Sequence, residues 1–328
     1  MDERVGAGAV MGAPESLAED RVLVTGAGGL LGSAIVELLR TSPVAALAAL
    51  RRSDCDLLDR DAVGKVWSLF RPTVVMHLAG RVSGVQGNLV NAGRAFYENM
   101  LINLNVIEAS RISGVRKIVA AGTIAVYSDR VASPMREDDL WLGEPHRSEA
   151  AYAHAKRATL AMLESYEQQY GIPFAYLLCT NLYGPRDRFD EEYGHVVPAL
   201  VKRFHDARVQ GRASVTVWGD GSATRDFLHV DDAARGFLVA TQRGVGAFNL
   251  ATGQSVTIRE IVALIRESSA FEGTVTWDRS RPSGQLIRSY DIGRMRTLGW
   301  QPVVELAEGL AGTVAWYAQN HATARQSS

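Results

Sequence analysis

The run Arg21-Val-Leu-Val-Thr25, followed at once by Gly26-Ala-Gly-Gly-Leu-Leu-Gly32, constrains this chain more than any other stretch. A short apolar run bounded by glycine reads as a buried strand, and Leu31, Ala34, Ile35 and Leu38 then recur with helical spacing. Glycines at 26, 29 and 32 permit a tight turn and a close backbone approach. They leave a helix N-terminus facing outward, which suits a pyrophosphate. The plainer alternative is a tight strand–helix connection that binds nothing.

The same alternation continues through the first half of the chain. Strands are predicted at 44–50, 74–78, 117–121 and 173–179, with helices at 61–70, 92–112 and 151–168 between them. A final helix at 230–242 and a strand at 247–250 return to the same sheet. This pattern predicts an α/β fold with a doubly wound parallel sheet, whose ligands bind at the carboxyl ends of the strands. Segments 21–185 and 230–251 are assigned to that domain. Segments 186–229 and 252–328, where the pattern loosens, form a smaller discontinuous carboxy-terminal lobe. Residues 1–20 read as a frayed tail without a signal-peptide core.

Composition narrows the class. The chain has 328 residues, 47% of them hydrophobic, and a net charge of −1, so it has no nucleic-acid footprint. No apolar run approaches the roughly 18 residues of a membrane span. Two cysteines, Cys55 and Cys179, make no disulfide framework, and no Cys/His cluster has zinc spacing. The expectation is a cytoplasmic protein with neither a metal nor a membrane partner.

Two local patterns carry chemistry. Tyr152 and Lys156 lie four apart in a predicted helix, so one face presents a phenol beside an ammonium. A nearby cation favours the phenolate and lowers the tyrosine's pKa, which suits a proton donor to a carbonyl under reduction. At the end of the second strand stand Arg51 and Arg52, where NAD binders carry an acid about 20 residues after the glycine turn. Two guanidiniums there match a 2′-phosphate and point to NADP(H); an exposed basic turn is the alternative.

The set Gly26-x-x-Gly-x-x-Gly32, His77-Leu-Ala-Gly80, Thr123 and Tyr152-x-x-x-Lys156 resembles the extended short-chain dehydrogenases/reductases, whose nucleotide domain is a Rossmann fold. Within them, Thr180-Asn-Leu-Tyr-Gly-Pro185, Gly194-His-Val-Val-Pro-Ala-Leu200, Val217-Trp-Gly-Asp-Gly221 and Arg225-Asp-Phe-Leu-His-Val-Asp-Asp232 are similar to the GDP-L-fucose synthase branch. That branch epimerises GDP-4-keto-6-deoxymannose at C3 and C5 and reduces C4 with NADPH. The resemblance runs from about residue 21 to residue 320 and implies a role for each matching position. Thr123 would hydrogen-bond the substrate carbonyl, Tyr152 would protonate it, and Lys156 would hold the ribose and tune Tyr152. Gly26, Gly29, Leu30, Leu31, Gly32, Leu78, Ala79 and Gly80 would line the cofactor. Asp56 and Leu57 would lie by the adenine, with Asn181 and Leu182 at the nicotinamide end. Arg203, Arg225 and Arg288 fall on or beside positions for a sugar nucleotide's diphosphate, although each taken singly reads equally as a surface charge. Trp218 would stack on a base, though core packing is the commoner fate of an isolated aromatic.

The chain departs from the branch at one position. A Cys two residues after the catalytic hydroxyl serves there with a His in epimerisation. Here that place is Ala125, while His195 survives as a lone acid/base, a hydrogen bonder or a structural residue. Ile124-Ala125 also lacks the acidic pair of a 4,6-dehydratase, and Arg51-Arg52 argues against an NAD-retaining 4-epimerase. A regulator that kept the fold and lost the chemistry has little need of an intact Thr-Tyr-Lys set. The reading is an NADPH-dependent 4-ketoreductase of a nucleotide-linked 4-keto-6-deoxyhexose. The nucleotide is dTDP or GDP, with dTDP favoured by analogy to stand-alone ketoreductases of antibiotic sugars. Phe96, Met100, Leu104 and Ile107, with Leu160, Leu163 and Tyr166, mark two helices that would pair in a homodimer.

Replacing Arg51 and Arg52 together by Ala should raise the KM for NADPH at least tenfold and leave that for NADH nearly unchanged. A charge-assisted hydrogen bond to the 2′-phosphate is worth roughly 1.5–3 kcal/mol. Equal KM values for the two cofactors in the unaltered protein would defeat the assignment.

Overall fold

The structure is a computed structural model that describes residues 16–82, 90–191, 194–280 and 288–325. Strands β1 (Arg21–Thr25), β2 (Ala46–Leu50), β3 (Val74–His77), β4 (Lys117–Thr123), β5 (Phe174–Cys179) and β10 (Gly246–Leu250) form one parallel sheet. Their order is β10-β5-β4-β3-β1-β2. Strand order reverses between β1 and β3, and this switch point opens the crevice where such sheets take ligands. Helices α1 (Leu30–Arg40), α2 (Arg60–Phe70), α3 (Ala92–Ile112), α4 (Ala150–Tyr170) and α6 (Val230–Arg243) cover its faces.

Side chains alternate across each strand, so the sheet feeds two cores. Leu23, Val75, Ile118 and Tyr176 pack with Val63 and Trp67 of α2, Ile107 of α3, and Leu160 and Leu163 of α4. The opposite face sets Val22, Val24, Met76 and Leu177 against Ile35 and Leu39 of α1 and Phe237 of α6. A third core gathers Phe189, Val201, Phe204, Val217, Ile265, Leu310 and Tyr317. It joins β6 (Asn181–Tyr183), α5 (Val196–Val209), β7 (Ser214–Trp218), β9 (Phe227–His229), α7 (Ile258–Ser268), β12 (Thr274–Asp278) and α9 (Leu306–Asn320). Strands β8 (Thr224–Arg225) and β11 (Val256–Thr257) pair antiparallel beside it, and α8 (Gly293–Thr297) carries the chain toward α9.

Three expectations change. The predicted tail ends earlier than Asp20, because Leu17 and Asp20 are only 3% and 5% exposed. The Asp20 carboxylate accepts bonds from Arg116 Nε at 2.8 Å and from the Thr73 hydroxyl at 2.7 Å. The strand predicted at 117–121 runs on to Thr123, placing that hydroxyl at its carboxyl end. Of the side chains assigned to a helix-pairing face, Ile107, Leu160 and Leu163 are buried in the protein's own core, whereas Phe96 and Leu104 stay exposed. Among the described residues, no helix is long and apolar enough to cross a membrane, and no group of three or more acidic, His or Cys side chains is placed to hold a metal.

Candidate active site

The glycine turn is a cradle that admits no side chains. Gly26 has φ +71°, and a Cβ there would lie 2.9 Å from Ala79 N. A Cβ on Gly32 would lie 2.1 Å from the Gly26 carbonyl oxygen. Gly29 is the N-cap of α1, whose end no side chain caps, so the N–H groups of Leu30, Leu31 and Gly32 have no side-chain acceptor and suit a ligand's oxygens. Arg51 packs over Gly28, its Cγ 3.7 Å from where a Cβ would be. Arg52 is exposed and lies within electrostatic reach of Glu98, a buried carboxylate that also pairs with Arg81 at 2.7 Å. Asp56 is exposed, and Leu57 is half-buried with its carbonyl held by Asn105. The cradle, the uncapped helix end and two exposed guanidiniums together fit a dinucleotide bearing an extra phosphate.

Across the crevice the catalytic candidates converge. Parallel pairing sets Thr123 beside Cys179, at the carboxyl ends of β4 and β5. The Thr123 hydroxyl oxygen accepts from Ala125 N at 3.2 Å, which leaves its own proton available to donate. Lys156 is 4% exposed; its Nζ donates to the Ala121 carbonyl at 2.7 Å and lies 5.9 Å from the Tyr152 ring centroid. A Cβ on Gly80 would lie in ordinary contact with that Nζ at 3.7 Å and more tightly against Asn99 Oδ1 at 3.1 Å.

Burial dominates the electrostatics. It pushes the Lys156 ammonium down from the usual 10.5 to about 8. It also drives the Tyr152 phenol well above its ordinary value, with further upward push from Cys179 and Glu149. The expected lowering of Tyr152 by Lys156 is therefore not met: removal from water raises the phenol. Tyr152 accordingly holds its proton until something accepts it. Cys179, considered in the sequence only for disulfides, stands in the same cleft, and burial pushes its thiol up to about 12.

A second cluster lies next to the first. Arg225 and Arg288 are close enough to repel one another; burial, then Arg288, lowers the Arg225 pKa. Arg288 is 6% exposed, and its Nε and Nη2 are buried without hydrogen-bond partners among the described residues. The Tyr290 hydroxyl beside it is pushed by burial up to about 12, although Arg288 pulls it down. Glu149 acts on both Tyr152 and Arg225 and joins the clusters into one cleft. One buried and one half-buried guanidinium, with donors of Arg288 unused among the described residues, suit an anion, and the forked guanidinium matches a phosphate.

Not every candidate joins them. Arg203 is engaged elsewhere, with Nε on Glu191 at 2.9 Å and Nη1 on the Thr216 carbonyl at 2.8 Å. Trp218, 5.9 Å from that guanidinium, is 52% exposed and is no core residue. His195 is exposed as the N-cap of α5 and makes no capping bond. Asn181 donates to the Asp226 carbonyl at 2.9 Å, beside half-buried Leu182, and Ala125 presents a buried methyl group below Thr123. Sequence reasoning missed Tyr290 and Glu149 because no motif contains them.

Comparison with known proteins agrees with this fold. The chain belongs to the NAD dependent epimerase/dehydratase family, whose model matches residues 22–251. GDP-L-fucose synthase 1 of Arabidopsis thaliana is 36% identical over 302 residues, covering 92% of this chain and 94% of that protein. A GDP-L-fucose synthetase from Naegleria fowleri bound to NADP superposes with a TM-score of 0.92 at 29% identity, over 98% of this chain and 100% of that one. A GDP-mannoheptose C4 reductase from Campylobacter jejuni with NADP bound gives 0.84 at 28% identity, over 92% and 99%.

In the cofactor-free protein the Lys156 Nζ should titrate near pH 8, charged below that value and neutral above it, against 10.5 for an exposed lysine. Nitrogen-15 spectra of the lysine side chains check this, with Lys156→Met identifying the signal. A Lys156 resonance that titrates above pH 10 would contradict the burial argument.

Proposed function

We propose that this chain is an NADPH-dependent 4-ketoreductase of a GDP-linked 4-keto-6-deoxyhexose, acting without the double epimerisation of the fucose synthases. The observation that carries it is the pairing of an intact Thr123–Tyr152–Lys156 set with the buried methyl of Ala125 where the branch has its thiol. GDP stands ahead of dTDP, since the named relatives in Arabidopsis, Naegleria and Campylobacter are GDP-sugar enzymes.

Gly26, Gly29, Gly32, Arg51 and Lys156 are the residues that would hold the cofactor. NADPH, when bound, supplies the hydride. As negative charge builds on the C4 oxygen, the Thr123 hydroxyl donates to it and Tyr152 hands over the phenolic proton. Lys156, charged below about pH 8, then stabilises the phenolate left behind. Arg225 and Arg288 would grip the diphosphate and fix the sugar's distance from Tyr152.

One observation favours a second reading. The Cys179 thiol shares the cleft with Tyr152 and Lys156, so a proton donor other than the missing cysteine is at hand for epimerisation. Incubation in deuterium oxide with NADPH, using GDP- and dTDP-4-keto-6-deoxyhexoses in parallel, separates the two. The ketoreductase should turn over the GDP sugar faster and place no deuterium at C3 or C5 beyond an enzyme-free control. Enzyme-dependent label at both carbons would restore the epimerase/reductase, and faster turnover of the dTDP sugar would overturn the nucleotide.

Phe96, Tyr97 and Leu104 leave an exposed apolar strip on α3, and on it we place the contact of a homodimer. Sedimentation should return twice the 35.6 kDa chain mass at micromolar concentration. A monomer there would remove this assignment.

A further inference from the structure

The carboxyl ends of β1 and β3 face each other at the switch point, with Thr25 in register with His77. From this pair a hydrogen-bonded chain runs through the interior. Leu78 N and Ala79 N both donate to Thr25 Oγ1, each at 3.2 Å. Thr25 Oγ1 lies 2.8 Å from His77 Nδ1, and His77 Nε2 lies 2.9 Å from Asn103 Oδ1 on α3. Asn103 Nδ2 donates to Thr159 Oγ1 at 2.6 Å, and Thr159 donates to the Ala155 carbonyl at 2.9 Å, one residue before Lys156. Thr25, His77, Asn103 and Thr159 are each no more than 2% exposed.

Counting donors fixes the direction of the whole chain. A hydroxyl has one proton and two lone pairs, and both lone pairs of Thr25 are taken by backbone N–H groups. Its proton therefore goes to His77 Nδ1, and His77 carries its own proton on Nε2, aimed at the Asn103 carbonyl oxygen. A second proton on the ring would put two donors against each other at Thr25. The surroundings oppose that proton as well: burial, and then the Lys156 charge, lower the ring's pKa to about 4, while the Asn103 bond opposes them. The groups facing the ring are Thr25 of β1, Asn103 of α3 and Lys156 of α4, and among these only Lys156 is charged.

We propose that His77 is a positioning residue: held neutral and Nε2-protonated in this chain, it sets the helix that bears Lys156 in register with the backbone of Leu78 to Gly80 on which the cofactor rests. Two ends of the site are thereby tied through one side chain. At the cradle end, the same Ala79 N that donates to Thr25 is the atom a Cβ on Gly26 would strike. At the helix end, Tyr176 donates to the Lys156 carbonyl at 2.8 Å, so that turn is held from both sides. A chain in which each polar side-chain atom has a partner resists sliding, whereas an apolar contact tolerates it. This inference rests on NADP(H) binding to the glycine turn, and is independent of which sugar is reduced.

Thr159→Val removes the last acceptor while keeping the side chain's volume. In the full chain, without sugar substrate, its Kd for NADPH by fluorescence titration should rise about fivefold or more, and Thr159→Ser should restore it within about twofold. A variant with lowered melting temperature and unchanged Kd would show a purely structural chain and overturn the proposal. Nitrogen-15 histidine spectra of the unaltered protein give a second readout, with the signal assigned by its loss in His77→Gln. His77 should show a proton on Nε2, none on Nδ1, and no titration from about pH 5.5 to pH 8. The opposite tautomer, or titration at an ordinary histidine value, would overturn it, and this measurement decides alone should Thr159→Val not fold. Absence of any NADPH binding by the unaltered protein would instead remove the cofactor reading and leave the tautomer result standing.

Discussion

The parallel register of β1 with β3 is the constraint from which the site is measured. It sets Thr25 against His77 and brings the backbone after each strand within touching distance, Ala79 against Gly26. Gly26 then has to turn through positive φ, which a residue with a Cβ reaches only at a cost. Gly32 has to pass under the Gly26 carbonyl at a distance that excludes any side chain. Gly26 is thus dictated by the approach of two strands, and Gly32 by the turn between β1 and α1, as much as by a ligand.

The second constraint is electrostatic. The cleft gathers one buried ammonium with a half-buried phenol and thiol, and adjoins two guanidiniums that repel each other. Desolvation disfavours every ionised form there, so the phenol and thiol are held neutral and the ammonium is weakened. Such an arrangement is stable only because partial satisfaction is built in, as with Lys156 on the Ala121 carbonyl. What remains unsatisfied among the described residues, Arg288 Nε and Nη2 above all, is what the proposed diphosphate would complete.

How legible all this was depends on the range of the interaction. Sheet strands and the helices between them repeat apolar residues at periods of 2 or 3.6, and their limits came within a few residues of the observed ones. The helices α5, α7 and α9 were passed over because they pack among themselves, away from the sheet, and break the alternation that marked the rest. One of them did carry a local sign. Thr257 and Glu260 form a capping box, with Thr257 Oγ1 accepting from Glu260 N at 3.1 Å. Leu17 and Asp20 were misassigned to a tail because their partners, the α1 core and Arg116, lie far along the chain.

Local chemistry was therefore determined by the residues themselves. The glycine spacing, the Tyr152–Lys156 helical pair, the arginines after β2 and the missing thiol at 125 need no fold to be seen, since each is a matter of neighbours four or fewer apart. Tertiary structure alone decided which distant groups share a dielectric. It placed Cys179 beside Tyr152, gathered Arg225, Arg288 and Tyr290, turned Arg203 away to Glu191, and reversed the expected direction of the Tyr152 shift. The physical reason is that hydrogen-bond geometry along one helix turn is set by local backbone angles. Burial, by contrast, is a property of everything packed around a group, and that is supplied by the whole chain.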